Sequence, residues 1–264
     1  LNCIYQDNAG LIWIGTGTGA FSFDGKAYER LDVPENCADK AVTAFYQDSD
    51  TVFWIGYDDG SVLAYDRYGM FTRVLSDDDI ESRITSFVED TNGRVWIGPY
   101  GNGVMLHGDT STRVLNVDSG LSDNFIYAMI SDRGNSIWMG TDNGLNIVDL
   151  TKGKEVVTTL TIADGRPDFI VQCLRMDEQG HIWAGMYDKG ICRFDRESNA
   201  FIIPPGLEEW ENGVVKDLII LKDRIWIATS GRGILEYMIS SQSLNFYEHC
   251  GAINLNRTRS MLHD

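Results

Sequence analysis

An all-β fold built from one four-stranded unit repeated six times is what this sequence predicts, and three observations carry that expectation. The motif Arg94-Val95-Trp96-Ile97-Gly98 has near copies from end to end: LIWIG at 11–15, VFWIG at 52–56, SIWMG at 136–140, HIWAG at 181–185 and RIWIA at 224–228. Their tryptophans, Trp13, Trp54, Trp96, Trp138, Trp183 and Trp226, stand 41, 42, 42, 45 and 43 residues apart. Short apolar runs between turn residues surround each copy, a strand signal and not a helical one. A period of this length made of strands indicates the blades of a β-propeller, each four-stranded and antiparallel.

Within a unit, the first strand is an apolar run ending in Asp six residues before the tryptophan: NCIYQD at 2–7, VTAFYQD at 42–48, ITSFVED at 84–90, IYAMISD at 126–132 and VQCLRMD at 171–177. The sixth copy, VKDLIIL at 215–221, lacks the Asp. Apolar residues on both faces mark this as the innermost strand, buried on two sides. Turn residues at 8–10, 91–93, 133–135 and 178–180 join it to the tryptophan strand as a hairpin. Asp7, Asp48, Asp90, Asp132 and Asp177 are expected to accept backbone N–H bonds in that turn, and the tryptophans to be buried between neighbouring blades, each ring removing on the order of 150–250 Å² from water. A glycine six or seven residues past each tryptophan (Gly19, Gly60, Gly103, Gly144, Gly190, Gly233) opens the third strand. A more polar fourth strand follows, as at 28–31, 71–75 and 245–248, which suits an exposed sheet edge. Residues 259–264 (RSMLHD) align with 2–7, so a seventh unit begins there, and two closures are open: a seven-bladed ring, the favoured one, or six blades with this strand supplementary. The whole of 1–264 reads as one propeller domain, a fragment of a longer chain.

The composition fits one large all-β domain: 264 residues, 43% hydrophobic, with 27 glycines and only five prolines. No apolar run approaches the roughly 18 residues a membrane helix needs, so this segment is not expected to insert into a bilayer. A formal charge of −17 repels phosphate backbones and anionic lipid, which excludes nucleic acid as a partner. The five cysteines form neither a CxxC pair nor an even set, and most read as small core hydrophobes. Cys173 and Cys192 fall on the first and third strands of one unit, roughly 9–10 Å apart and too far to bridge easily. The four histidines, His107, His181, His249 and His263, show no metal-ligand spacing, and the acidic runs at 48–50, 58–59 and 77–79 lack the pattern of a calcium loop. Gly15-Thr16-Gly17-Thr18-Gly19 precedes a strand and not the helix a phosphate loop requires. No catalytic residue, cofactor or metal is expected.

The pattern D-x-x-G-x-x-W-I-G-T, an opening Gly and a closing Y/F-D, clearest in DNAGLIWIGTGTGAFSFD at 7–24 and DRGNSIWMGTDNGLNIVD at 132–149, resembles the two-component regulator propeller repeat. Departures stand at Tyr57, Pro99, Met186 and the pair Ala228-Thr229, where the family pattern has Gly-Thr. The resemblance implies the periplasmic sensor part of a bacterial hybrid two-component system, recognising an oligosaccharide or another small extracellular ligand. It implies an adjoining second propeller, a further β domain, a membrane helix and a histidine kinase elsewhere in the full chain, and a homodimer as the signalling unit.

A residue present once per blade serves the blade, so function is expected where the repeats differ. In a propeller the loops from strand two to three, and from strand four to the next blade, emerge on one face around the central channel. Here the first set is 16–18, 57–59, 99–102, 141–143, 186–189 and 230–232, and the second 32–40, 77–83, 118–125, 163–169 and 204–212. On them Tyr57, Tyr100, Phe125, Phe169, Tyr187 and Trp210 offer flat apolar faces for a sugar ring, while Arg83, Arg166, Lys189 and Arg232, with Asp58, Asn102 and Asp142, offer partners for hydroxyls or carboxylates. Two other readings compete: a lyase or hydrolase, which needs a histidine and a carboxylate converging at the channel mouth, and a structural interaction platform that binds no small molecule.

Overall fold

The computed structural model describes residues 1–76, 80–108, 112–151, 155–160, 170–198, 200–207, 213–251, 253–256 and 258–262. It contains six four-stranded antiparallel sheets, each in simple sequence order, and these are the blades of a β-propeller. Blade one is β1 (Cys3–Gln6), β2 (Ile12–Thr16), β3 (Gly19–Phe23) and β4 (Tyr28–Arg30); blade two is β5 (Val42–Gln47), β6 (Phe53–Tyr57), β7 (Val62–Tyr65) and β8 (Phe71–Leu75). Blade three is β9 (Ile84–Glu89), β10 (Val95–Pro99), β11 (Val104–His107) and β12 (Thr112–Leu115); blade four is β13 (Ile126–Ser131), β14 (Ser136–Thr141), β15 (Gly144–Asp149) and β16 (Val156–Leu160). Blade five is β17 (Val171–Met176), β18 (Ile182–Met186), β19 (Ile191–Asp195) and β20 (Ala200–Ile202); blade six is β21 (Val214–Leu221), β22 (Arg224–Ser230), β23 (Ile234–Met238) and β24 (Ser243–Tyr247). A two-stranded ribbon, β25 (His249–Cys250) with β26 (Ile253–Asn254), follows.

The chain divides into two units. The first takes Leu1–Ser119 and Asn124–Ile126, the second Gly120–Asp123 and the chain from Tyr127 on. In the first unit one core, built around Trp13, Val42, Phe45, Phe53 and Ile55, lies between blades one and two. Another, around Trp54, Val62, Ile84, Phe87 and Ile97, lies between blades two and three. In the second unit Trp138, Leu174, Ile182, Phe194 and Phe201 join blade four to blade five, and Trp183, Val215, Leu218, Ile225 and Tyr237 join blade five to blade six.

Five of the six repeat tryptophans are 8% exposed or less, as the period implied. The aspartates do more than accept turn N–H groups. Asp7, Asp48, Asp90, Asp132 and Asp177 each accept the indole N–H of the tryptophan six residues on, at 2.9, 2.8, 2.9, 3.0 and 2.9 Å. The other carboxylate oxygen takes backbone N–H groups of the turn, for example Ala9 and Leu11 at Asp7, both 2.9 Å, and Gly134 and Ser136 at Asp132, 2.8 and 2.9 Å. One side chain thus fixes the hairpin turn and satisfies the buried indole donor, which would otherwise be costly to desolvate. Blade six has Leu221 at this position, and Trp226 is only half-buried, leaning on Tyr247 at 5.5 Å.

The glycine of the W-x-G motif lets adjacent blades approach. A Cβ built on Gly56 would lie 2.6 Å from Ile84, on Gly140 2.6 Å from Val171, and on Gly185 2.4 Å from Val215, all side chains of the next blade's inner strand. At the same end of the inner strand the ladder skips one residue, Thr43, Thr85, Gln172 and Lys216 in blades two, three, five and six, a β-bulge the sequence reading did not anticipate.

The stretch expected to open a seventh unit differs from the expectation. Residues 258–262 lie in no strand, because no partner strand pairs with them among the described residues, and 263 and 264 lie outside those residues. Met261 N and Ser260 Oγ donate to Asp217 Oδ2 at 2.9 and 3.3 Å, which ties this stretch to blade six.

Candidate functional site

The loops that follow the tryptophan strands meet the loops that precede the inner strands. Asp58 N donates to Ala41 O at 3.0 Å, Tyr100 N to Arg83 O at 2.9 Å, Gly103 N to Asn124 O at 2.9 Å and Tyr187 N to Ile170 O at 2.9 Å. This is the end of each sheet where the repeats diverge in sequence, and it lies opposite the aspartate turns.

In the first unit three candidate residues gather. β10 ends at Pro99, whose missing N–H and the neighbouring register shift release the chain from the ladder. The following turn passes through Gly101 and Gly103, at φ 100° and 74°, a left-handed conformation that favours glycine. Tyr100 forms an isolated antiparallel bridge with Phe125, and their rings meet edge to face with centroids 4.8 Å apart. A Cβ on Gly101 would stand 3.1 Å from the Phe125 ring, so the glycine is what allows the phenyl group to lie over the turn. Arg83 spreads its guanidinium over the other ring, 4.6 Å from the Tyr100 centroid, and the Ser82 hydroxyl donates to the Tyr100 carbonyl. Phe125 is 38% exposed, and Asn102 stands exposed at the tip of the turn. The arrangement is an aromatic pair carrying a cation on one face, open to water.

Tyr57 corrects the sequence reading. It lies at the end of β6 with its ring 1% exposed among Cys37, Val42 and Leu63, because the 3-10 turn Glu35–Cys37 inserts the buried Cys37 beside it. It offers no face to a ligand. Burial pushes its phenol far above the ordinary tyrosine value, and among the described residues its hydroxyl has no hydrogen-bond partner. Next to it Asp58 is exposed. Asp59 is ion-paired with Lys40, which also donates to Ser61 Oγ at 3.1 Å. Burial raises the Asp59 pKa, but the bonds from Lys40 and Ser61 outweigh it and hold the carboxyl below its usual range.

In the second unit Asp142 accepts the Tyr127 hydroxyl at 2.8 Å. The loop beside it is pinned by a polar network: Asn146 Nδ2 donates to Ser122 Oγ at 2.7 Å, Ser122 Oγ lies 3.1 Å from Thr141 Oγ1, and Thr159 Oγ1 donates to Asn146 Oδ1 at 3.1 Å. Tyr187 is 49% exposed, Lys189 half-buried and Arg232 exposed. Among the described residues these three make no hydrogen bond, ion pair or ring contact with one another. Arg166, Phe169 and Trp210 lie outside the described residues.

The remaining reactive groups sit elsewhere. His181 Nδ1 is 2.9 Å from Asp177 Oδ2, but both belong to an aspartate turn, where the carboxylate already holds Trp183. His107 lies edge-on to Trp54 at 5.6 Å, inside the blade interface. Among the described residues no three His, Cys, Asp or Glu side chains are placed to hold a metal ion. None of the five cysteines is in a disulfide, and burial pushes Cys3 and Cys173 up to about 12 and Cys192 higher still, which suppresses the reactive thiolate. No described helix is long and apolar enough to cross a membrane.

Fold and site together define a β-propeller whose repeated residues hold the blades and whose unrepeated residues gather at one end of each sheet. The model of the two component regulator propeller matches residues 1–18, 79–101 and 120–143. Among solved structures, the chain is similar to the extracellular domain of BT4673 from B. thetaiotaomicron, assigned to a hybrid two-component system, at 21% identity and a TM-score of 0.76, covering 100% of this chain and 37% of that one. It is also similar to virginiamycin B lyase from Staphylococcus aureus, at 14% identity and a TM-score of 0.76, covering 100% and 88%. A third likeness is to PorZ, a surface component of the type-IX secretion system of Porphyromonas gingivalis, at 19% identity and a TM-score of 0.67, covering 85% and 37%. At these identities the likeness establishes the propeller fold. The chain thus spans little more than a third of the length of BT4673, and no curated protein sequence matches it.

Proposed function

We propose that this chain is a ligand-sensing propeller of a two-component signalling protein, working outside the cytoplasm, in the periplasm of its cell, and that it recognises an oligosaccharide through its divergent loops. The observation that carries the reading is the open Arg83–Tyr100–Phe125 cluster on a chain built of regulator repeats. Aromatic faces stack on the apolar faces of sugar rings, and flanking polar groups fix orientation. Asn102 and Asp58 of the same unit are further candidate contacts, and in the second unit Asp142, Tyr187, Lys189 and Arg232 are candidates by themselves; Arg166, Phe169 and Trp210 stay candidates from the sequence alone. The kinase, a second propeller and the membrane anchor belong to other parts of the full protein. Signalling then follows from whatever difference in affinity the ligand has for two arrangements of a sensor homodimer.

Thermal unfolding of the chain against a panel of plant, host and microbial oligosaccharides tests this. A ligand at a hundred times its dissociation constant stabilises by about 2.7 kcal/mol. A saturable rise with an intact glycan, diminished in Tyr100→Ala, supports the sensor; silence across the panel turns the reading toward a protein-interaction platform.

The enzyme reading needs a histidine beside a carboxylate at the loop end. The one such pair among the described residues, His181 with Asp177, is at the opposite end and is occupied by Trp183. Consumption of a glycan during the titration would reverse that preference.

A further inference from the structure

We propose that the ligand of this surface bears a carboxylate and that Arg83 is the residue that recognises it, an inference that rests on the sensing reading above. Arg83 is exposed, and among the described residues its guanidinium forms no hydrogen bond or ion pair; its one recorded interaction is the stack on Tyr100. Carboxylates are abundant in a chain with 39 acidic and 22 basic residues, and several cations of the same unit are ion-paired with them. Arg30 pairs with Asp39, Lys40 with Asp59 and Arg94 with Asp90.

Three features hold the arginine ready. Tyr100 N donates to Arg83 O at 2.9 Å, so the two residues share a backbone anchor. The Tyr100 ring is itself braced by Phe125 at 4.8 Å, and the Ser82 hydroxyl fixes the Tyr100 carbonyl. The planar guanidinium is held over the ring, its carbon 4.6 Å from the centroid, and its N–H donors make no hydrogen bond among the described residues. That planar fork matches the two oxygens of a carboxylate, and less rotamer freedom is lost on binding because the stack has already removed it.

The whole-molecule charge narrows the class. A formal −17 opposes polyanions at long range, while screening limits that repulsion to roughly 8 Å at physiological ionic strength. A local bidentate cation in a repulsive field selects a ligand with one or a few carboxylates on a mostly neutral body and rejects nucleic acids and polyphosphates. Combined with the aromatic face, the chemistry is that of a sugar acid within an oligosaccharide.

The test uses calorimetric titration of the chain with trigalacturonate and with glucuronic-acid-capped xylotriose, each beside its carboxyl-reduced neutral counterpart, together with the neutral glycans of the panel. The expected result is binding of an acidic probe at least tenfold tighter than its reduced form, and a loss of at least tenfold in both Arg83→Lys and Arg83→Met. Arg83→Lys keeps the charge and removes the fork, so its loss separates bidentate recognition from simple attraction. Circular dichroism establishes that the variants are folded. Equal binding of an acidic probe by wild type and Arg83→Met overturns the assignment to Arg83. A neutral glycan bound without preference for acid overturns the carboxylate while leaving the sensor intact, and no binding by any glycan overturns both.

Discussion

Asp90 shows how much of this fold rests on single side chains. Its carboxylate takes the Trp96 indole N–H at 2.9 Å, the Arg94 Nε at 2.7 Å and the backbone N–H groups of Asn92 and Arg94 at 2.8 and 3.2 Å. Burial raises its pKa, but these bonds together outweigh burial and leave it lowered from 3.8. Asp177 is lowered in the same way, by Trp183 and His181 against burial. A carboxyl depressed in the folded state stabilises above its unfolded pKa, and that contribution is lost as pH falls through the folded value. Stability should therefore be flat from neutral pH to about 5 and fall steeply below about 4. In Asp90→Asn the acid limb should move to higher stability relative to that variant's own neutral value; an unchanged acid limb would reject the clamp as its source. Asp90→Ala strands the fully buried Trp96 donor and should cost about 1–3 kcal/mol in denaturant unfolding at pH 7. Trp96→Ala should cost about 3–5 kcal/mol, and Trp226→Ala clearly less, since only Trp226 is half-buried and without an aspartate.

At the scale of the element, the inner strand is where neighbouring blades meet, and glycine decides how closely. Gly140→Ala would place a Cβ 2.6 Å from the Val171 side chain and 2.7 Å from its carbonyl oxygen, so overpacking of about 1–3 kcal/mol is expected from thermal or denaturant unfolding. A neutral result would mean that blades four and five slide apart without penalty. The strands themselves were legible in the sequence because their signals are local: alternation, turn residues and an Asp–Trp spacing of six. The same spacing announced the indole bond, which the reading missed by assigning the aspartate to the turn alone. The bulges at Thr43, Thr85, Gln172 and Lys216 were not legible, since they follow from packing against the adjacent blade. Tyr57 was misplaced for a related reason. Its position beside Asp58 looked like loop, and only the buried Cys37 arriving from the previous connection shows that the ring faces inward. Tyr100 and Phe125 were named separately, 25 positions apart in the chain; their contact is a product of the fold.

For the molecule as a whole, 39 acidic against 22 basic residues set up a self-repulsion that the folded state concentrates. Raising sodium chloride from about 10 mM to about 300 mM, which shortens the screening length from roughly 30 Å to under 10 Å, should raise the melting temperature. A fall instead would mean that ion pairs such as Arg224–Glu236 at 2.6 Å outweigh the repulsion. The repeat also distributes duty along the chain. Each aspartate clamp sits at the turn between the first and second strands, whereas Arg83, Tyr100 and Phe125 sit at the far end of their sheets, a strand length away. Substitutions in the divergent loops therefore leave the clamps untouched, and a blade can acquire a new specificity without first acquiring a new fold. Descent with such freedom would leave a family of propellers alike in their tryptophans and unlike in their tastes, and loops grafted from one onto another should carry ligand choice with them.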